Sequence, residues 1–472
     1  MNQVRLSDFH FLLDCLSEPF DNFSISTSDD KCLKVKTSIP FLTLGLMQGP
    51  LLLKSFFTLT DDAIFFHNEP SLGCSQFSSI QFVFSQNGFN FCINKSFPMS
   101  FESTQNGSQI PLKIPPFPLV ENNKINTFIF DSLKLNPSIS IEFVDLLKSS
   151  INDLLIFKDQ FSHLVKTSSP FFTKEVCQKY LHFCAEEAQF KFKQKVYSQS
   201  QTEIPIGGSH FLKLKLLTDE MGIKIDFQGT SPSDQLSLSD LATDSVCFSL
   251  LCQYFQMSHK MNSSVFSLFQ IIKPMNSFVS SKNTNNLIAS EKLGIPLLMT
   301  ALHHCLWKIY GKNQTAPHNY FNLPVQIKND HGDYLHFNLL NGRSFYFQNN
   351  YHQDKGYFAK NNSDGSLFPS LTQFEKLGLQ VLSVSERPLK SIKSSVSSSP
   401  GWILKLKTRQ KLSLTFFSDS ITNSLNLEKN LTVYEPTQVF INLKPISVDF
   451  FTGEVPENSE LTFISGYSPS II

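Results

Sequence analysis

The chain has 472 residues, and its 40 lysines and arginines cancel its 40 aspartates and glutamates. That balance excludes the basic field that a nucleic-acid or anionic-membrane partner would need. Charged residues reach only 17% while phenylalanine fills 47 positions, so a large core can form, and no apolar run approaches the ~18 residues of a membrane span.

Along the chain, Met1–Phe20 is interrupted by Arg5, Asp8, Asp14 and Glu18 and lacks the unbroken apolar stretch of a secretory leader. The run Ile39–Phe57 is broken by Pro40, Thr43, Gln48, Pro50 and Lys54. Ala63–His67, Ile80–Ser85 and Asn90–Asn94 read as strands, with Gln86-Asn87-Gly88 as a hairpin turn. Apolar residues at Phe143, Leu146, Leu147, Ile151, Leu154 and Leu155 predict a helix over Ile141–Ile156. A second helix is expected over Thr173–Ser198, where Glu186 and Glu187 precede Lys191, Lys193 and Lys195 on a solvated face. Phe211–Leu217 and Gly222–Phe227 read as strands, Leu293–Tyr310 as a helix, and the chain from Asn319 as strands and turns with a Ser-rich loop at Ser391–Pro400. The expected class is α+β, without the βαβ rhythm of a doubly wound sheet. It is organised as one region over 1–472: strand-rich to 130, mixed with helices to 310, strand-rich thereafter. The nine cysteines form no CxxC pair and read as reduced core thiols of a cytoplasmic protein.

Several segments, in order, resemble the hydantoinase B/oxoprolinase family. Gly222-Ile-Lys-Ile-Asp-Phe-Gln-Gly-Thr-Ser-Pro232 is similar to its strand-and-turn signature, Asp-Phe-Ser-Gly-Thr-(Asp/Ser)-Pro, and gives Asp226, Phe227, Gly229, Thr230 and Pro232 as signature-turn residues. Asn68-Glu-Pro-Ser-Leu-Gly-Cys-Ser-Gln-Phe-Ser-Ser-Ile80 resembles Asn-Asp-Pro-Tyr-x-Gly-Gly-Thr-His-Leu-Pro-Asp-Ile, preceded by a strand-like Asp61-Asp-Ala-Ile-Phe65. Asp30–Leu33 with Ile39-Pro40, Ile114-Pro-Pro116 with Leu119-Val120, Phe269–Ser277, Asp364-Gly365 and Arg387-Pro388 fall where family segments are expected. The resemblance implies a B-type fold and ATP-dependent opening of a cyclic amide such as a hydantoin or 5-oxoproline. It further implies a hydantoinase A-like partner that binds ATP and phosphorylates the amide oxygen. The B-type subunit would hold a divalent metal and complete hydrolysis, because a lactam carbonyl is a poor electrophile that needs a leaving group and a metal-bound water.

Carried over position by position, the family's metal ligands are missing. The Asp of an Asp-Phe-Ser segment becomes Asn22, with Asp21 next door; the His-x-x-Asp pair becomes Gln76 and Ser79. A further ligand falls within Ser96–Ser100, and no histidine lies between His67 and His163. Neutral amides and hydroxyls are weak ligands for a Lewis-acidic divalent ion. The resemblance thus leads to three former ligand positions, Asn22, Gln76 and Ser79, with no metal and no cofactor expected.

Other candidates read as structural. Asp61, Asp62, His67 and Glu69 fit a turn followed by a strand, and Asp226 fits a turn cap. His303 and His304 point about 100° apart on a helix and cannot easily share an ion. Cys74 would need a neighbouring histidine to act as a nucleophile, and His67 is the local one. Three readings stay open: a degenerate, metal-free subunit with a structural or regulatory role beside a hydantoinase A-like subunit or an active B-type paralogue in a hetero-oligomer; an active ATP-dependent cyclic amidohydrolase subunit with ligands from other positions; or an unrelated protein-interaction module.

Overall fold

In a computed structural model, the structure describes residues 5–37, 39–73, 79–96, 102–103, 109–110, 114–135, 141–193, 197–207, 210–220, 222–232, 237–281, 294–310, 321–330, 334–341, 371–386, 402–417, 438–446 and 450–464. The architecture is α+β, as the sequence predicts, with four sheets of four or more strands and a two-stranded ribbon among the described residues. No described helix is long and apolar enough to cross a membrane.

The first sheet has seven strands. They are β1 (Phe23–Thr27), β2 (Cys32–Lys36), β3 (Ile64–His67), β4 (Ser79–Gln86) and β5 (Phe89–Ser96), with β8 (Phe117–Glu121) and β9 (Lys124–Ile125), the ribbon strands β6 (Glu102–Ser103) and β7 (Gln109–Ile110) intervening in the chain. The spatial order is β2-β1-β5-β4-β3-β8-β9, antiparallel throughout. The expected hairpin turn joins β4 to β5, with Asn87 and Gly88 both at positive φ.

Because strand side chains alternate between faces, the register sorts this sheet into two unlike surfaces. One carries Phe23, Ile25, Ile80, Phe82, Phe84, Phe89, Phe91 and Ile93, all buried. It packs on helix α4 (Ile141–Thr167), which follows α1 (Leu6–Ser17), α2 (Thr43–Lys54) and α3 (Thr127–Leu135). Phe161 of α4 meets Phe91 edge-on with ring centroids 4.8 Å apart, and Phe157 meets Phe91 at 5.4 Å. Such edge-to-face pairs each add about 0.5–1.5 kcal/mol beyond the area they bury. The sequence places the end of α4 at Ile156; the same apolar spacing continues through Phe157, Phe161 and Leu164, and the helix follows it to Thr167.

The opposite face presents Ser24, Ser26, Ser79, Gln81, Ser85, Asn90 and Asn94, together with His67, and every one is buried. Helix α2 covers it. This helix holds Gly45, Gly49 and an interior Pro50, an unpromising composition for a helix. Contact with the sheet explains it. A Cβ on Gly49 would lie 2.9 Å from Gln81 Nε2 and 3.0 Å from Cys92 Sγ, so the glycine permits close approach. Pro50 has no N–H for the carbonyl one turn back, and that carbonyl, Leu46 O, instead accepts from Ser24 Oγ at 2.6 Å. Gln81 Nε2 donates to Gly45 O at 3.0 Å, a second side-chain bond from the sheet to this helix.

This arrangement predicts that Ser24→Ala strands a buried acceptor and costs about 1–3 kcal/mol in urea unfolding. In a Pro50→Ala background the restored N–H serves Leu46 O, and the same substitution should cost distinctly less. Equal costs in both backgrounds would refute the pairing.

Helix α5 (Lys174–Phe192) begins one residue after its N-cap Thr173, whose hydroxyl accepts from Val176 N. It ends well before Ser198 because the chain turns into β10 (Gln199–Gly207). The strand β10 leads a second sheet with β11 (His210–Thr218), β12 (Ile223–Asp226) and β13 (Phe269–Ile272), in which only β12 and β13 run parallel. Helices α6 (Asp240–Tyr254) and α7 (Ser263–Phe266) lie between β12 and β13 in the chain, and the predicted helix at 293–310 spans Ile295–Tyr310.

Buried apolar residues from Phe9 to Leu306 form one cluster, and those from Val325 to Phe463 form a second. Two sheets serve the latter, a four-stranded one over 321–455 and a five-stranded one over 379–464. The Ser-rich loop at 391–400, Asp364-Gly365 and Arg387-Pro388 lie outside the described residues.

Candidate functional site

Two of the three positions singled out by the sequence come together at one end of the polar face. Asn22 immediately precedes β1 and Ser79 opens β4, while Asn94 of β5 lies between them. Asn94 Nδ2 donates to Ser79 Oγ at 3.0 Å, Asn22 Nδ2 donates to Asn94 O at 3.4 Å, and Asn94 N donates to Asn22 O at 3.1 Å. On the other side Thr37 Oγ1 donates to Asn22 Oδ1 at 2.7 Å. Asn22, Asn94 and Ser79 are 4%, 3% and 0% exposed, so these bonds replace water rather than compete with it. Asp21, next door, is exposed and stands outside this buried set. Gln76 and Cys74 lie outside the described residues, as do residues 97–100.

Asn94 is the member that sequence reasoning missed. It sits inside a strand that alternation identifies, but only the β1–β5–β4 register brings it between positions 22 and 79.

The donor set decides what this cluster can hold. A divalent ion of the kind used for amide hydrolysis is gripped by carboxylates and imidazoles. The described cluster offers two carboxamides and two hydroxyls, already engaged with one another, and these residues do not fit such an ion. Among the described residues no group of three or more His, Cys, Asp or Glu side chains is placed to hold a metal.

His67 adds detail on the same face, opposite Gln81 in the β3–β4 register. It is fully buried, and burial pushes its pKa down to about 4, so the ring is neutral. Its Nδ1 accepts from Glu69 N at 3.2 Å, which places the ring proton on Nε2. A proton there leaves no lone pair for an ion, so His67 is a packed strand residue. The neighbouring carboxylates are occupied as turn formers. Asp61 Oδ2 accepts from Asn87 N at 2.8 Å, Asp62 Oδ1 from Thr60 Oγ1 at 2.5 Å, and Glu69 Oε1 from Ser71 Oγ at 3.1 Å.

The signature turn is a structural joint. Asp226 Oδ1 accepts from Gln228 N at 2.9 Å and so closes the turn that follows β12. Gly229 takes φ +86°, a left-handed conformation that favours glycine. Thr230 Oγ1 donates to Lys213 O at 2.9 Å and accepts from Lys213 N at 3.1 Å, which stitches the turn to β11. Phe227 is fully buried, and Pro232 bridges to Ser277.

The remaining candidates also have structural places. His303 and His304 are buried on the helix Ile295–Tyr310. Lys191 pairs with Glu187 at 3.5 Å, whereas Lys195 lies outside the described residues. Eight described cysteines are free, seven of them buried. Burial pushes the Cys32 and Cys177 thiols up to about 12, far from nucleophilic.

With this geometry in hand, the fold can be set beside known ones. No family model matches the sequence, and no curated protein matches it. The structure is similar to that of an ATP-dependent caprolactamase from Pseudomonas jessenii, with a TM-score of 0.74 and 9% identity over 98% of this chain and 90% of that one. It is also similar to acetone carboxylase in its nucleotide-free form, from work on ATP-dependent acetone carboxylation. The TM-score there is 0.63 with 10% identity, over 98% of this chain and 73% of that one. The fold is therefore shared with ATP-dependent enzymes, consistent with the hydantoinase-like resemblance of its motifs.

Proposed function

We propose that this chain is a metal-free relative of the hydantoinase B-type subunits, with a structural or regulatory role beside an ATP-binding hydantoinase A-like subunit or an active B-type paralogue. One observation carries the reading. Asn22 and Ser79, two positions at which the family resemblance implies metal ligands, meet across Asn94 in a buried, hydrogen-bonded set of neutral side chains. A likeness of fold to an ATP-dependent caprolactamase supports the placement among enzymes that open amide rings at the expense of ATP. Neutral groups that hydrogen-bond through Asn94, as Asn22 and Ser79 do, keep the described part of the site packed while supplying no grip for a Lewis acid.

The test is metal analysis of the full chain, purified without chelators and then equilibrated with zinc, manganese or iron. Metal content well below one equivalent, unchanged by the added ions, is the expected result. One tightly held equivalent would overturn the reading and favour an active hydrolase subunit.

A further inference from the structure

A second cluster of titratable side chains lies at the junction of α1, β2, α5 and the turn 257–261. Nothing in the proposed function uses it. His10 of α1 is held on both sides: its Nδ1 is 2.7 Å from Tyr180 Oη on α5, and its Nε2 is 3.3 Å from Asp14 Oδ2 one turn along α1. Asp14 also pairs with Lys34 of β2, whose ammonium is buried and donates to His259 O at 3.3 Å. The His10 and His259 rings meet edge-on, 5.6 Å apart. Behind them Tyr180 is fully buried and hydrogen-bonds with the Cys184 thiol, while Lys260 pairs with Glu187 and lies over the Phe183 ring at 4.9 Å.

With His10 neutral, the Nε2 proton points to Asp14 and Nδ1 accepts from the Tyr180 hydroxyl. A second ring proton reverses the Tyr180 bond, because Nδ1 becomes a donor. It also sets an imidazolium among Lys34, His259 and Lys260, with Asp14 as its nearest counter-charge. His259 faces Lys260, Lys191 and Lys34 in turn, with Glu187 opposing them. We propose that this junction is an acid-released latch, in which proton uptake by His10 and His259 frees α1 from α5 and the 257–261 turn while the rest of the molecule stays folded.

The direction of both pKa shifts agrees. Partial burial is the largest influence on each ring and holds its pKa below the ordinary 6.5; Asp14 and Glu187 oppose this only in part. A base with a lowered folded pKa contributes stability that is complete above about 6.5 and is lost as pH falls through and below that value. What detaches is defined by packing: α1 is anchored by Phe9, Leu13 and Leu16, and Phe9 meets Tyr180 edge-on at 5.3 Å.

Hydrogen exchange on the full chain, corrected for intrinsic rates, tests the latch. Between pH 7.5 and pH 5.5 the protection of residues 6–17 should fall about tenfold, with little change elsewhere. The double variant His10→Gln/His259→Gln should abolish the acid-dependent step. His259 is exposed, so His259→Gln alone should fold normally and reduce the step. Loss of protection spread over the whole chain, or an acid step of equal size in the folded variants, would overturn the proposal.

Discussion

Gly45→Ala is expected to destabilise the protein by at least about 3 kcal/mol, enough to abolish soluble expression if the wild type is only marginally stable. A Cβ at position 45 would stand 1.9 Å from Gly73 O and 2.9 Å from Gly73 C. Neither partner can give way cheaply. Gly73 takes φ +103° and is pressed in return against the Gly45 backbone, and α2 is held to the sheet by Ser24 and Gln81. The comparison variant is Gly88→Ala at the β4–β5 turn, where φ is +77° and nothing lies within 4 Å of the added carbon. There only the left-handed backbone penalty applies, about 1–2 kcal/mol. Urea unfolding of the two variants separates the terms; similar costs would show that backbone contact at Gly45 is not what fixes the helix.

Asn22→Asp should have the second largest effect, and its pH dependence is diagnostic. The new carboxylate oxygen would replace the amide nitrogen that faces Asn94 O at 3.4 Å, in a position 4% exposed to solvent. Thr37 Oγ1 still donates to one oxygen, but a buried charge without a counter-charge, its other oxygen facing a carbonyl, costs about 3 kcal/mol or more at neutral pH. Protonation relieves it, since the acid O–H can donate to Asn94 O. The folded carboxyl is therefore raised above its unfolded value of about 3.9. The variant should approach wild-type stability below that pH and lose ground as pH rises through the unfolded toward the folded value. Thermal unfolding of both proteins at pH 4, 6 and 8 checks the trend. If zinc or manganese restored the variant at pH 8, the cluster would be a competent metal site that lacks only its charge.

The legible part of the fold follows from the period-two pattern. Ala63–His67, Ile80–Ser85 and Asn90–Asn94 lie within or beside β3, β4 and β5 because their phenylalanines and isoleucines alternate with Ser, Gln and Asn. The same pattern conceals where the polar face goes. Alternation ordinarily marks a sheet with one solvated side, yet here the polar residues are buried and α2 packs against their face. That helix was hidden in turn, because Gly45, Gly49 and Pro50 argue against helix locally and become favourable only against this sheet. The candidate site was half legible for the same reason. Motif order pointed to Asn22 and Ser79, but Asn94 becomes their partner through strand pairing, which no spacing along the chain encodes.

The hydroxyl of Ser24 answering the carbonyl freed by Pro50 also constrains how this chain could have evolved. With the proline in place, losing the serine leaves a buried oxygen bare, and the intermediate is penalised. With an ordinary residue at position 50 the helix closes its own bond, and position 24 is free to vary. The neutral route to the present pair therefore acquires the hydroxyl first and the proline second, and any departure from it runs in the reverse order.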